Sequence, residues 1–243
     1  EITTRLVGSE MCIRDRVYAM EPEQLQLGFL KVLKGSPMQA QASQYGILSQ
    51  AEPPYEVLKT PWLSYDDIIR LKGLEEMVET YYNSGQFTRT LKHLETRWKD
   101  AFVFYEQLAD YYERKGLTGL NHSRLARYEI LHDFVEERTE GEFLMGAEDT
   151  LMCDLYLREN AKSRPGFASD LSAYKNAIRT FYQREQEERR ILPAYEGYDW
   201  KQMMKMTHIE VVSRIEEKTR VYLFDYRERD PLDGSARCLE IQI

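Results

Sequence analysis

The residues of this chain that could do chemistry are three cysteines, four histidines, several runs of carboxylates and one glycine turn. Cys12, Cys153 and Cys238 stand far apart, which indicates neither a disulfide framework nor a cysteine metal cage. An iron–sulfur cluster needs three closely spaced thiolates that leave one iron open. With Cys153 and Cys238 isolated in sequence, no metal ligand set is expected from the chain itself. His93, His122, His132 and His208 form no i,i+4 histidine pair and no His-x-His, so structural or surface roles are expected for each. Glu75, Glu76 and Glu79, then Glu136, Glu137, Glu140 and Glu142, then Glu185, Glu187 and Glu188 could do acid–base work only if burial separated their pKa values. They lie among Arg and Lys on polar helix faces, where solvation explains them. No Gly-x-Ser-x-Gly, Walker-type or dinucleotide glycine motif is present, and no catalytic residue is assigned. The binding candidate is Lys34-Gly35-Ser36-Pro37, directly after an apolar run. Ligands bind at the carboxyl ends of strands in barrels and open α/β sheets, where glycine admits close backbone approach. An ordinary structural turn is the competing account.

Those residues must be positioned by three kinds of element. Residues 25–33 form a mostly apolar run bounded by Gly35 and Pro37, which reads as a buried strand. Met38 to Tyr45 reads as a helix closed by Gly46, Ile47-Leu48 as a strand start, and Pro53-Pro54 and Pro61 as an extended connector. Residues 17–63 thus look like the tail of an α/β unit. From Ser64 the texture is helical: Ser64 and Asp67 have capping-box spacing, and Ile68, Leu71, Leu74, Val78 and Tyr81 or Tyr82 form one stripe. Trp98, Phe102, Tyr105, Leu108 and Tyr112 predict a second helix with one inward face. Asn121 is the expected cap of a third, carrying Leu125, Tyr128, Leu131 and Val135. A fourth is expected from about Ala147 to Glu159, and a fifth carries Leu171, Tyr174, Ile178 and Phe181. After about Thr207 the pattern turns to strands, with Tyr222, Phe224 and Tyr226 on one face, Asp230 to Gly234 as a turn, and Leu239, Ile241 and Ile243 alternating with polar residues.

Composition narrows the function classes. The 243 residues carry 33 Lys+Arg against 41 Asp+Glu, a net charge of −8. That balance disfavours a reader of the nucleic-acid backbone, which relies on clustered Lys and Arg. No apolar run approaches the roughly 18 residues of a membrane helix, and no signal-peptide core stands near the N-terminus. The expectation is a cytoplasmic protein with no nucleic-acid or membrane partner. Val7 to Arg16 lacks any periodicity and resembles the peptide obtained by translating sequencing-adapter DNA in frame, so residues 1 to about 16 are set aside as a non-native leader with no evolved packing partners.

Several segments together resemble one family. Gln26 to Pro37 (QLGFLKVLKGSP) is similar to the late barrel strand and turn of radical SAM proteins that also carry an N-terminal cobalamin-binding domain. Pro53 to Leu58, Trp62-Leu63-Ser64 and Tyr81 to Phe87 resemble the connector and first helix that follow there. Asp154 to Glu159, Lys162-Ser163-Arg164-Pro165 and Leu223 to Tyr226 resemble that family's C-terminal domain of unknown function (family 4080). The family's three-cysteine motif and most S-adenosylmethionine contacts lie upstream of the matched segments. The resemblance implies a parent enzyme in which a 4Fe-4S cluster cleaves S-adenosylmethionine and cobalamin relays a methyl group. It also implies that Lys34, Gly35, Ser36 and Pro37 lie near the mouth of the barrel. The chain is then expected to be a catalytically inert C-terminal fragment, binding no cofactor itself and partnered by the upstream barrel and cobalamin domains. Its helical domain would recruit substrate or close the active site. A non-catalytic acidic helical interaction module is the alternative. The fold class expected is α+β, mainly α: a leader at 1–16, the tail of a barrel at 17–63, and a helical domain at 64–243 closed by a small antiparallel sheet at about 207–243.

Overall fold

The computed structural model describes residues 17–98, 100–212 and 219–243. The adapter-like stretch Val7 to Arg16, Cys12 included, lies outside the described residues. The architecture is α+β and mainly α, arranged as two compact units. One comprises residues 17–85 with 95–120, the other 86–94 with 121–243.

In the first unit, Ser64 caps helix α2 (Tyr65–Met77) through the expected capping box with Asp67, after a short α1 (Pro37–Gln41) and a two-stranded ribbon of β1 (Leu48–Ser49) and β2 (Val57–Lys59). The stripe of α2 buries Ile68, Leu74 and Met77. It runs on into a π-helical turn, Val78–Asn83, that buries Val78 and Tyr81. Helix α3 (Thr88–Glu95) belongs almost wholly to the second unit. Helix α4 (Ala101–Arg114) starts at the Asp100 cap and packs on α2. The two helices face each other at Gly73, where a Cβ would make an ordinary 3.4 Å contact with the Ala109 Cβ. Tyr81 and Tyr112 join their hydroxyls at 2.7 Å inside this core.

Two expectations change here. Residues 25–33 form no regular strand. A single antiparallel bridge joins Lys31 to Glu56, with Val32 N–H donating to Tyr55 O and Val57 N–H to Leu30 O. Among the described residues only one side of this run meets another backbone, and Leu25 satisfies its N–H and C=O on the Asn83 side-chain amide instead. The run is extended and half-buried, with Leu30 and Leu33 exposed. The second change concerns α4, whose start at Ala101 leaves Trp98 ahead of the helix, half-buried with its ring edge on Phe104. The buried face is Phe104, Tyr105, Leu108, Tyr111 and Tyr112, while Phe102 is half-buried. A three-per-two-turn face is wider than the single stripe the spacing predicts.

The second unit also contains α5 (Arg124–Glu136), α6 (Gly141–Arg158), α7 (Lys175–Glu188) and α8 (Trp200–Met206). With them stand β3 (Thr207–Val212), β4 (Arg220–Arg229) and β5 (Ala236–Ile241). Ser123, not Asn121, caps α5, because its hydroxyl is the one in register to accept from Ala126 N–H. Helix α6 begins six residues before the expected Ala147 and is buried nearly all round from Gly146 to Tyr156, with Asp149, Thr150 and Asp154 among its buried side chains. The antiparallel sheet has the order β3-β4-β5. Alternation sends Ile209, Val211, Val221, Leu223 and Ile241 to one face with Phe181, Tyr182 and Met203 of α7 and α8. It sends Val212, Phe224 and Ala236 to the other, with Met152, Cys153 and Tyr156 of α6. So the sheet does not close the helices at one side. It is a middle layer covered by helices on both faces.

Gly146 is the tight point of α6. A Cβ there would come within 2.6 Å of the His93 ring, which stacks on Phe143 at 4.5 Å and bonds the Phe143 carbonyl oxygen at 2.9 Å. Gly146→Ala is expected to lower stability by about 1–3 kcal/mol although Ala is the better helix former. A thermal melt in which the variant is unchanged or more stable would contradict this packing.

Candidate functional site

The strongest polar constellation of the second unit grows from the strand alternation of β3. His208 and Glu210 are two residues apart and share the face of the sheet that meets α6. Glu210 is 1 % exposed and accepts two hydrogen bonds from Arg164, from Nη1 at 2.6 Å and from Nη2 at 2.9 Å. Such a bidentate fork is the arrangement that lets a carboxylate survive burial. Arg164 Nη2 also donates to the Ser169 carbonyl oxygen at 3.0 Å, fixing the loop that carries it. His208 Nε2 lies 2.9 Å from Glu210 Oε2, and the imidazole stacks on Tyr156 with ring centres 3.4 Å apart. The Tyr226 hydroxyl donates to the carbonyl oxygens of Tyr156 and Glu159, tying β4 to the end of α6.

Electrostatics follow from that burial. Desolvation alone would raise the Glu210 carboxyl, but Arg164 and His208 outweigh it and hold it below the usual carboxylate range. Burial lowers His208, which is neutral at pH 7 and donates its Nε2 hydrogen to Glu210. Desolvation raises the Tyr156 hydroxyl. The outer edge of Arg164 opens onto a cleft of about 520 Å³ whose polar rim is Ser169, Asp170 and Lys175 and whose apolar wall includes Leu171 and Ile178. Asp170 is engaged in accepting from Ser172 N–H at 2.9 Å and from its hydroxyl at 2.6 Å. A fixed guanidinium, a lysine and an apolar wall can bind and orient a molecule. The hydroxyl beside a carboxylate in the lining, Ser172 on Asp170, is a local turn contact between residues two apart, and the charge and apolar wall suit recognition.

A second cluster surrounds Asp154. Its carboxylate accepts from Arg89 N–H, Thr90 N–H at 2.8 Å and the Thr90 hydroxyl at 2.8 Å, closing the start of α3. Arg89 reaches the Cys238 sulfur at 3.7 Å and also interacts with Cys153, so the two thiols distant in sequence meet around one guanidinium. Burial pushes the Cys153 thiol up to about 12 and raises Cys238 as well. Iron–sulfur clusters are held by thiolates, and two high-pKa thiols flanked by a guanidinium do not fit one. Desolvation lifts the Asp154 carboxyl from 3.8 to about 6. A folded-state pKa above the unfolded one favours folding below the unfolded value and loses that advantage as pH rises through about 6. The stability of Asp154→Asn relative to the native chain is therefore expected to improve between pH 4 and 7, by about 3 kcal/mol in all. Urea melts across that range that keep a constant gap would contradict the assignment.

The sequence-derived site residues fall elsewhere. Lys34 and Gly35 are exposed, Gly35 has a φ of +78° that favours glycine, and Ser36 caps α1 by accepting from Gln39 N–H, with Pro37 as the first helical residue. The structure keeps these four together as one turn in the first unit. Among the carboxylates, Glu185 departs from the expected solvated face. It is buried and accepts from Ile191 N–H at 2.8 Å and Leu192 N–H at 3.0 Å, because the chain reverses at Arg189 in a left-handed conformation. Sequence reasoning misses the Arg164–Glu210–His208 network, although the His-x-Glu spacing on a strand is a readable signal of a shared face.

A family model, described as Protein of unknown function (DUF4080), matches residues 43–224. The chain belongs to that family. The DUF4080 match takes in Arg89, Asp154, Tyr156, Arg164, His208 and Glu210, and leaves Lys34 to Pro37 and Cys238 outside. Comparisons with curated proteins and with solved structures return no match. No helix among the described residues is long and apolar enough to cross a membrane.

Proposed function

We propose that this DUF4080 chain is the C-terminal part of a cytoplasmic radical SAM enzyme that also binds cobalamin, and that its own role is to recruit substrate or close the active site. The observation that carries this reading is the extended run at residues 25–33. Among the described residues it meets another backbone only around Lys31, Val32 and Glu56, and it exposes Leu30 and Leu33. An apolar run with one unpaired side is what a strand presents when its remaining neighbours belong to a larger sheet. The same residues, Gln26 to Pro37, are the ones that resemble a late barrel strand and its turn. The Arg164 cleft supports a recognition role, since it offers fixed charge beside an apolar wall.

The cluster, S-adenosylmethionine and cobalamin belong, on this proposal, to upstream domains of the parent protein, which are also the chain's partners. The described thiols support that division, being buried, high in pKa and beside Arg89. Anaerobic treatment of the purified chain with iron and sulfide should leave it colourless, folded and unable to release 5′-deoxyadenosine. A stoichiometric cluster with turnover would refute the assignment.

A further inference from the structure

We propose that His132, Asp133 and Glu136 form a binding site for a divalent transition-metal ion of the zinc class on the surface of the second unit. Helix α5 sets them at positions i, i+1 and i+4, and one ligand atom from each lies within 4.8 Å of the others. Asp133 and Glu136 are exposed, whereas the His132 ring is buried and fixed from two directions. It stacks on Phe167 with ring centres 4.5 Å apart and planes 8° from parallel, and its Nε2 lies 3.3 Å from Glu148 Oε1 on α6.

The other ring nitrogen carries the argument. Nδ1 lies 3.2 Å from Asp133 Oδ1. Glu148 on one side and the Phe167 stack on the other fix the ring, so Nδ1 stays aimed at the Asp133 carboxylate. A shared cation can sit between these two atoms. Two ligands each about 2.0 Å from zinc at the tetrahedral angle stand about 3.3 Å apart, close to the spacing found here. Glu148 matches the outer carboxylate that orients a ligating histidine through its far nitrogen. Three protein ligands leave a coordination position open to water or to a side chain of another molecule.

The test uses the full chain without a polyhistidine tag. Zn²⁺ is titrated against a chromogenic chelator, and Co²⁺ is followed by its visible absorption. One ion per chain is expected, with a Co²⁺ spectrum lacking the near-ultraviolet thiolate band, which keeps Cys153 and Cys238 out of the assignment. The surface variants Asp133→Asn and Glu136→Gln, which leave the core intact, should each weaken binding at least tenfold. Glu148→Gln should weaken it about 10–100-fold as a positioning residue. Absence of binding at millimolar Zn²⁺, or affinity unmoved by the two surface variants, would overturn the proposal and leave His132 as a buried ring held between two carboxylates.

Discussion

Arg164→Met is expected to destabilise the chain by about 3–5 kcal/mol, because it strands the buried Glu210 carboxylate without its cationic partner. The double variant Arg164→Met with Glu210→Met removes both charges and should recover most of the loss, since apolar replacements of a buried pair are often close to neutral. Acid adds a second signature. Glu210 is held below its usual value when folded, so its contribution is present above about pH 4.5 and disappears as pH falls through the folded value. His208 is also lowered on folding, so the unfolded chain takes up its proton first and stability declines as pH drops below 6.5. The double variant keeps His208 and should lose only the part of the acid limb below about pH 4.5 that Glu210 supplies. A single variant as stable as the native protein would mean that Glu210 is not held by Arg164.

Phe104→Ala should cost about 3–5 kcal/mol, the usual penalty for emptying a buried aromatic site. Phe104 is 4 % exposed and packs edge-on against both Trp98 and Tyr105. Phe102, half-buried on the same helix, should cost less than half as much when truncated. Urea melts with an unchanged m-value read both directly. Equal losses at the two positions, or a larger one at Phe102, would place the inner face of α4 where the spacing of Trp98, Phe102 and Tyr105 puts it.

That contrast shows where sequence reasoning holds. Regular elements with strong local signals are legible: the Ser64–Asp67 capping box, the stripe from Ile68 to Tyr81, and the alternation of Tyr222, Phe224 and Tyr226 all recur in the structure. What fails depends on distant partners. Residues 25–33 have strand composition, but a strand needs neighbours on its backbone, and local pattern cannot supply them. The sheet reads as half-buried from Leu239, Ile241 and Ile243, yet α6 covers its other face, a fact fixed by helix packing. The candidate site is harder still. Arg164 and Glu210 are 46 residues apart, and their pairing exists only once the sheet is formed. Cys153 and Cys238, isolated along the chain, converge on Arg89 for the same reason.

The central claim is that this DUF4080 chain belongs to a longer radical SAM protein, and the reading frame upstream of Val17 in the source gene tests it most directly. Sequencing across that junction should reveal an in-frame Cys-x-x-x-Cys-x-x-Cys motif preceded by a cobalamin-binding domain. A start codon just upstream of Val17, with no such motif in frame, would contradict the account.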